Sequence, residues 1–275
     1  SETIQLLLNK KDTVFLKSID SQISQLETLL DGCYLLGELS PRTSDAILSF
    51  GEALSSQIIA KALQQKIEKS SFKDSRELIK TNSDFGKGVV DFKLTNHLIE
   101  NFFNNNNHQV VLMPGFIASS KDDNTTTLGR EGSDYTAAIF AYCLGAESVT
   151  IWKDVPGVLN ADPRYFENAV LLNQISYREA IELAFYGASV IHPKTLQPLQ
   201  KKEIPLFVKS FINPTLPGTS VSKGADLEPH TPCFILKKNQ LLLSLSSIDF
   251  DFIMENHISE IFALFAKFKV KVNLI

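Results

Sequence analysis

Apolar positions along this chain change their period several times, and the changes mark its elements. Residues 1–36 alternate short polar and apolar stretches that read as helices. Ser40-Pro41 is a helix start, an N-cap residue followed by Pro in the first turn. Ile47, Phe50, Leu54 and Ile58 then recur at helical spacing on one face, which puts Glu52 on the opposite, solvated side. Residues 67–92 are mixed, and 83–88 read as a turn. A short helix is expected over 96–103, closed by the Asn run 104–107. Gln109 to Met113 reads as a buried strand, stopped by Pro114-Gly115.

Strand and helix alternate from there. The pattern predicts helix 133–144, strand 147–152, helix 176–187, a shorter helix over 194–201 and strand 205–209. Such alternation favours a mainly parallel sheet between helix layers, an α/β architecture. Residues 213–232 carry Pro214, Pro217, Gly218, Gly224, Pro229 and Pro232 and read as a linker. Beyond it, Leu241 to Ser247 reads as a strand. Ile258, Ile261, Phe262, Phe265 and Phe268 mark a helix, and Val270, Val272 and Leu274 alternate as a last strand. That βαβ unit is too short for a complete domain, so the chain is expected to be truncated there.

Composition narrows the function classes. A chain of 275 residues with 44% hydrophobic and 21% charged residues is an ordinary globular protein with room for a large core. The net charge of -4 and the scattered lysines give no footprint for nucleic acid. No apolar run reaches the ~18 residues of a membrane span. Cys33, Cys143 and Cys233 are odd in number, far apart and without a CxxC, as expected for unpaired thiols in a reducing cytoplasm.

Two loops carry candidate chemistry. Gly129-Arg130-Glu131-Gly132-Ser133-Asp134 leads into an apolar helix. Arg130 presents a rigid fork suited to carboxylate or phosphate, and a helix start offers free N–H groups and a positive partial charge. The plain alternative is that Ser133 or Asp134 caps the helix and Arg130 is solvated. The second loop, 151–164, leaves a β-branched strand through Lys153-Asp154 and turns at Pro156-Gly157 towards Arg164. Polar loops at strand ends of an α/β unit are where open sheets bind ligands. His192-Pro193 reads as the turn before helix 194–201.

These two loops, with Glu38 to Thr43, Leu48 to Glu52, Thr125 to Arg130, Tyr186-Gly187-Ala188, Ile191-His192-Pro193 and Asn213-Pro214 through Thr219, resemble the ordered motifs of aspartokinases in the amino-acid kinase family. The resemblance covers residues 38–275 and implies an amino-acid kinase domain over 1–212, a linker over 213–232 and a partial ACT-like regulatory unit over 233–275. It implies transfer of the γ-phosphoryl of ATP, with Mg, to the side-chain carboxylate of L-aspartate. In that likeness Arg130 holds the α-carboxylate, Glu52 the ammonium, and Ser133 and Asp134 lie beside them. Asp134 orients phosphate-binding lysines. Lys153, Asp154, Leu159, Arg164, Ser189 and Val190 fall at ATP, with Asp134 and Lys153 as the catalytic pair, and no protein metal site is implied. It further implies a homo-oligomer through ACT domains and lysine or threonine as feedback effector.

The sequence departs from the family in three places. No Lys-Phe-Gly-Gly-Thr-Ser strand and loop occurs, nor the Ser-rich loop after it. Ser189 stands where many members carry a second lysine. Glu131 replaces a Gly. The first departure implies that these 275 residues alone are inactive. Two other readings remain open: another amino-acid kinase, acting on glutamate or acetylglutamate, and a non-catalytic amino-acid-binding regulator.

Overall fold

A computed structural model describes residues 12–186, 190–246 and 254–273. Helices α1 (Thr13–Leu36) and α2 (Pro41–Gln64) form an antiparallel pair at the N-terminal side. Asp12 caps α1 by accepting from the Phe15 N–H at 2.9 Å, and Gly37, at φ 64°, ends it in the left-handed conformation that glycine adopts without steric cost. Ser40 caps α2 by accepting from the Thr43 N–H at 3.1 Å, with Pro41 in the first turn as expected. Ile19, Phe15 and Leu16 of α1 pack on Leu54, Ile58 and Ala62 of α2.

The deepest burial on α2 is not the large apolar stripe. Asp45, Ser49, Ala53, Ser56 and Ala60 are its buried residues, a small-residue face pressed on the body of the protein, whereas Leu48 and Ile59 are exposed. Small side chains let the helix approach the sheet closely. Ile47, Phe50, Leu54 and Ile58 of the apolar stripe are half-buried, and so is Glu52, which corrects the expectation that Glu52 lies on a solvated side.

Among the described residues the strands form three hydrogen-bonded groups. β1 (Ser70–Phe72) pairs in parallel with β3 (Val110–Leu112). β2 (Lys80–Thr81) pairs in parallel with β4 (Ile117–Ser120), and β4 pairs antiparallel with β5 (Thr125–Thr127). β6 (Val149–Lys153), β8 (Leu206–Ser210), β9 (Thr219–Ser222) and β7 (Gln174–Ser176) make a four-stranded sheet in that order. Pairing in it is parallel except between β8 and β9. Helices α3 (Phe92–Asn104), α4 (Gly132–Leu144), α5 (Tyr177–Tyr186) and α6 (Pro193–Lys202) cover the sheets. The mainly parallel α/β architecture thus stands, as do the predicted helices within the described residues and the turn at His192, whose Nδ1 accepts from the Lys194 N–H at 3.1 Å; residues 1–11 and 187 of the helices expected over 1–36 and 176–187 lie outside the described residues.

Helix α4 is apolar all round because two cores share it. Tyr135, Ile139, Phe140 and Cys143 face one core with Leu78, Ile79, Ile99 and Leu128. Ala138 and Ala141 face the other, with Val149, Ile151, Leu206, Val208 and Val221. A helix without a polar face is one buried on both sides. Its N-terminus, carrying Ser133 and Asp134, consequently opens where the two halves of the fold meet.

Two expectations fail. Residues 213–232 are not merely a linker. They contain β9, which lies inside the four-stranded sheet with Thr219 and Val221 fully buried. Thr219 Oγ1 accepts from the Val158 N–H at 2.8 Å and donates to the Leu172 carbonyl at 2.6 Å. Gly218 takes φ 75° beside it, with the Val208 carbonyl where a side chain would stand. Turn formers on both sides hide a strand of four residues. Helix α7 (Glu255–Lys267) is present. Residues 241–246 and 270–273, however, are not strands, because among the described residues neither pairs with a neighbouring strand, and the Val270 N–H donates instead to the Phe265 carbonyl at 2.8 Å, closing α7; Ser247 and Leu274, the remaining ends of those expected strands, lie outside the described residues. Cys233 and Ile235 pack against the larger core rather than on α7.

Candidate active-site cleft

A cleft of about 630 Å³ opens at the N-terminus of α4. Its walls come from α2 (Asp45, Leu48, Glu52), the turn at Phe85-Gly86, Phe116, Thr127 at the end of β5, the run Gly129–Asp134, and Lys153 at the end of β6. Chain segments far apart in sequence meet there for local reasons. Gly115 lies so close to Ser133 that a Cβ would stand 2.8 Å from the Ser133 Cβ. The Phe116 N–H donates to Thr136 Oγ1 at 3.0 Å, which ties that loop to the first turn of α4. Gly129, at φ 79°, fits against the Gly86 carbonyl. Phe116 and Glu131 also take positive φ, 68° and 53°, a conformation that costs a non-glycine residue about 1–3 kcal/mol and that clusters at functional sites.

Arg130 is exposed at the cleft and makes no hydrogen bond or ion pair among the described residues, so its guanidinium fork is free for a ligand. Glu131 occupies the N-cap position of α4 but makes no capping hydrogen bond, and Ser133 is exposed. The reading in which Ser133 or Asp134 merely caps the helix is therefore not the one adopted, and the helix start keeps its anion-binding character. Lys153 Nζ lies 2.7 Å from Asp134 Oδ2, with the two side chains 22% and 15% exposed. Asp134 Oδ2 lacks a well-aligned donor, so the pair is a Coulomb contact more than a directed hydrogen bond.

Glu52 is half-buried in the wall, and desolvation raises its pKa above the ordinary carboxylate value. Asp45 is the carboxylate that motif reasoning missed. It is 1% exposed, and its Oδ2 accepts from the N–H groups of Gly86 at 2.8 Å and Thr127 at 2.9 Å. Its Oδ1 accepts from Thr127 Oγ1 at 2.9 Å. The signal that could have found it is the recurrence Asp45, Ser49, Ala53, Ser56, Ala60, a small-residue face at helical spacing.

The cleft thus gathers Glu52, Arg130, Ser133, Asp134 and Lys153. Of the other residues assigned to the nucleotide, Asp154, Leu159, Arg164 and Val190 lie outside its walls. Asp154 is exposed directly after Lys153. Leu159 is half-buried and bridges Leu171. Arg164 is exposed and engaged by Asp162 at 2.7 Å. Val190 packs against the larger core, and Ser189 lies outside the described residues.

Free guanidinium, paired lysine, desolvated carboxylate and open helix start suit a ligand bearing both signs of charge. Fold and site together define an α/β domain with a cleft whose charges suit small anionic and zwitterionic molecules. The sequence profile of the Amino acid kinase family matches residues 9–210, and the chain belongs to that family. It is 35% identical over 257 residues to lysine-sensitive aspartokinase 3 of Escherichia coli (strain K12), covering 91% of this chain and 57% of that one. It is 33% identical over 258 residues to chloroplastic aspartokinase 1 of Arabidopsis thaliana, covering 92% and 45%. Among solved structures it superposes on E. coli aspartokinase III in complex with aspartate and ADP with a TM-score of 0.77 at 30% identity, covering 98% of this chain and 59% of that one. The same enzyme in complex with lysine and aspartate gives 0.70 at 30% identity, covering 93% and 57%. The chain spans between 45% and 59% of the length of these relatives.

Proposed function

We propose that the polypeptide to which this chain belongs is an ATP:L-aspartate 4-phosphotransferase. A side-chain carboxylate oxygen of L-aspartate attacks the γ-phosphorus of ATP. The bond between that phosphorus and the bridging oxygen breaks, and ADP leaves with the electron pair, giving 4-phospho-L-aspartate. No covalent bond to the protein forms, so the protein contributes placement and charge. Arg130 takes the α-carboxylate, Glu52 the ammonium, and Ser133 lies beside the acceptor. Lys153 faces the transferring phosphoryl group, held by Asp134. Asp154, Leu159, Arg164, Ser189 and Val190 are assigned to the rest of the nucleotide. Mg²⁺ is carried on the nucleotide phosphates, where it offsets negative charge.

The observation that carries this reading is the convergence of Glu52, the unpaired Arg130 fork and the Lys153–Asp134 pair on one cleft. The likeness to aspartokinases bound to aspartate and ADP supports it. Lysine is the favoured effector over threonine, on the likeness to a lysine-sensitive relative, and assembly through ACT domains belongs to the same proposal. A cytoplasmic location agrees with three free cysteines and with the absence, among the described residues, of a helix able to cross a membrane.

The test is hydroxylamine trapping of the acyl phosphate by the complete polypeptide, with MgATP and a panel of acceptors. Hydroxamate from L-aspartate alone is the expected result. Turnover on glutamate or acetylglutamate in its place would make the protein another amino-acid kinase. Binding of L-aspartate without turnover on any acceptor would make it a regulator.

A further inference from the structure

Among the carboxylates lining the cleft, Asp45 alone has its two oxygens filled by three neutral donors, and it touches no cation. An anion buried at 1% exposure is costly unless hydrogen-bonded, so its place has to be fixed by those donors. The donors belong to two other segments, the turn at Gly86 and the end of β5 at Thr127. Both segments touch the Arg130 loop. Thr127 precedes Arg130 by three residues, and the Gly86 carbonyl lies against Gly129. On its own helix, Asp45 precedes Glu52 by seven residues, which is about 20° short of two full turns, so both point to the same side of α2.

We infer that Asp45 is a positioning residue of the acceptor site, the joint that sets the separation of Glu52 from Arg130. Three bonds from one carboxylate fix both the rotation of α2 about its axis and its distance from the end of β5. Rotation of α2 swings Glu52, and a shift of β5 moves Arg130. An amino acid held by its ammonium at one and its carboxylate at the other reads that separation directly. The nucleotide side, built on Lys153 at the end of β6, has no bond to Asp45 and is left in place. The inference rests on the proposed acceptor roles of Glu52 and Arg130.

The test uses the complete polypeptide and three variants. Asp45→Asn keeps the shape but removes the charge, so the two N–H groups keep only a weaker neutral acceptor, and the amide NH2 reverses the bond to Thr127 Oγ1. Thr127→Val removes one of the three bonds, and Thr127→Ser keeps the hydroxyl. Expected are a rise of about 10-fold or more in the L-aspartate KM for Asp45→Asn and about 3- to 10-fold for Thr127→Val. The ATP KM should stay within about 2-fold, and Thr127→Ser should restore the wild-type value. A merely structural role would lower the active fraction and leave both KM values alone. Unchanged KM for aspartate, equal shifts for both substrates, or a Thr127→Ser variant as impaired as Thr127→Val would overturn the inference. Hydrogen exchange gives a substrate-free arm, in which the Gly86 and Thr127 amides should exchange at least about 10-fold faster in Asp45→Asn. If the wild type fails to phosphorylate or bind aspartate, the functional reading falls. The joint is then judged on exchange alone, and unaltered protection of both amides would refute it.

Discussion

Lys153 Nζ stands 2.7 Å from Asp134 Oδ2, so the last residue of β6 is joined to the first turn of α4 by opposite charges. Lysine keeps a flexible four-carbon stem, and a carboxylate beside it fixes where the ammonium points. In the proposed reaction this pair meets the negative charge of the transferring phosphoryl group. Lys153→Met should lower turnover by about 100-fold, the usual effect of removing one group that stabilises developing charge. Asp134→Asn leaves the cation and loses its aim, so the loss should be smaller, about 10-fold. Initial rates at saturating substrates check both, and normal rates in Lys153→Met would remove it from the phosphoryl site.

Among the described residues Arg130 has no hydrogen-bond or ion-pair partner, so its removal leaves no buried carboxylate stranded there. Arg130→Ala should therefore cost binding and little stability. A charge-assisted pair is worth roughly 1.5–3 kcal/mol, or about 10- to 100-fold in the dissociation constant of L-aspartate. Calorimetric titration should show that loss for aspartate with ATP affinity nearly unchanged.

The raised pKa of Glu52, caused by burial, predicts opposite pH effects on binding and on folding. Glu52 must be ionised to hold an ammonium, so aspartate affinity should fall as pH drops through a value above the ordinary carboxylate range. For stability the sign reverses. A carboxylate whose folded pKa lies above its unfolded one contributes stability at low pH and loses it as pH rises through the folded value. Glu52→Gln should consequently melt higher than wild type at neutral pH while losing both aspartate affinity and its acid limb. A flat wild-type pH profile over that range would exclude Glu52 as the ammonium partner.

Glu131 adopts φ 53°, and its Oε2 is buried without a partner among the described residues. Replacing it by glycine removes about 1–2 kcal/mol of left-handed strain and about 1–3 kcal/mol for an unsatisfied polar atom. Against that stand about 0.5–1 kcal/mol of glycine entropy and about 0.3–1 kcal/mol of favourable charge at a helix start. The relief is the larger side, and Glu131→Gly should stabilise the protein by about 2 kcal/mol, read as a higher urea midpoint at unchanged slope. A lower midpoint would show that the carboxylate has a stabilising partner.

Arg130, Ser133, Asp134 and Lys153 were legible in the sequence because each sits within a few residues of a strand end or helix start. Glu52 was named by its motif but misplaced by periodicity, since α2 turns its small face inward and its large apolar side chains partly towards α1. Asp45 was readable only as a member of that small-residue face, and its role was not, because its partners Gly86 and Thr127 lie 41 and 82 residues away. The short strands β1, β2, β4, β5 and β7, of two to four residues, carry too few side chains to show a period. β9 was concealed between Gly218 and Gly224. Leu241 to Leu245 show the converse: apolar content suggested a strand, yet these leucines are exposed, with Leu242 at 98%, and among the described residues no neighbouring backbone pairs with them.

The central claim is that one cleft holds the amino acid between Glu52 and Arg130 and the phosphates at Lys153. A crystal structure of the complete polypeptide with L-aspartate and ADP measures this directly. The aspartate α-carboxylate should lie on the Arg130 guanidinium, its ammonium on Glu52, and its side-chain carboxylate should point towards Lys153 and the β-phosphate. Aspartate bound elsewhere, or bound in this cleft with its side-chain carboxylate on Arg130 and its ammonium towards the nucleotide, would contradict the account.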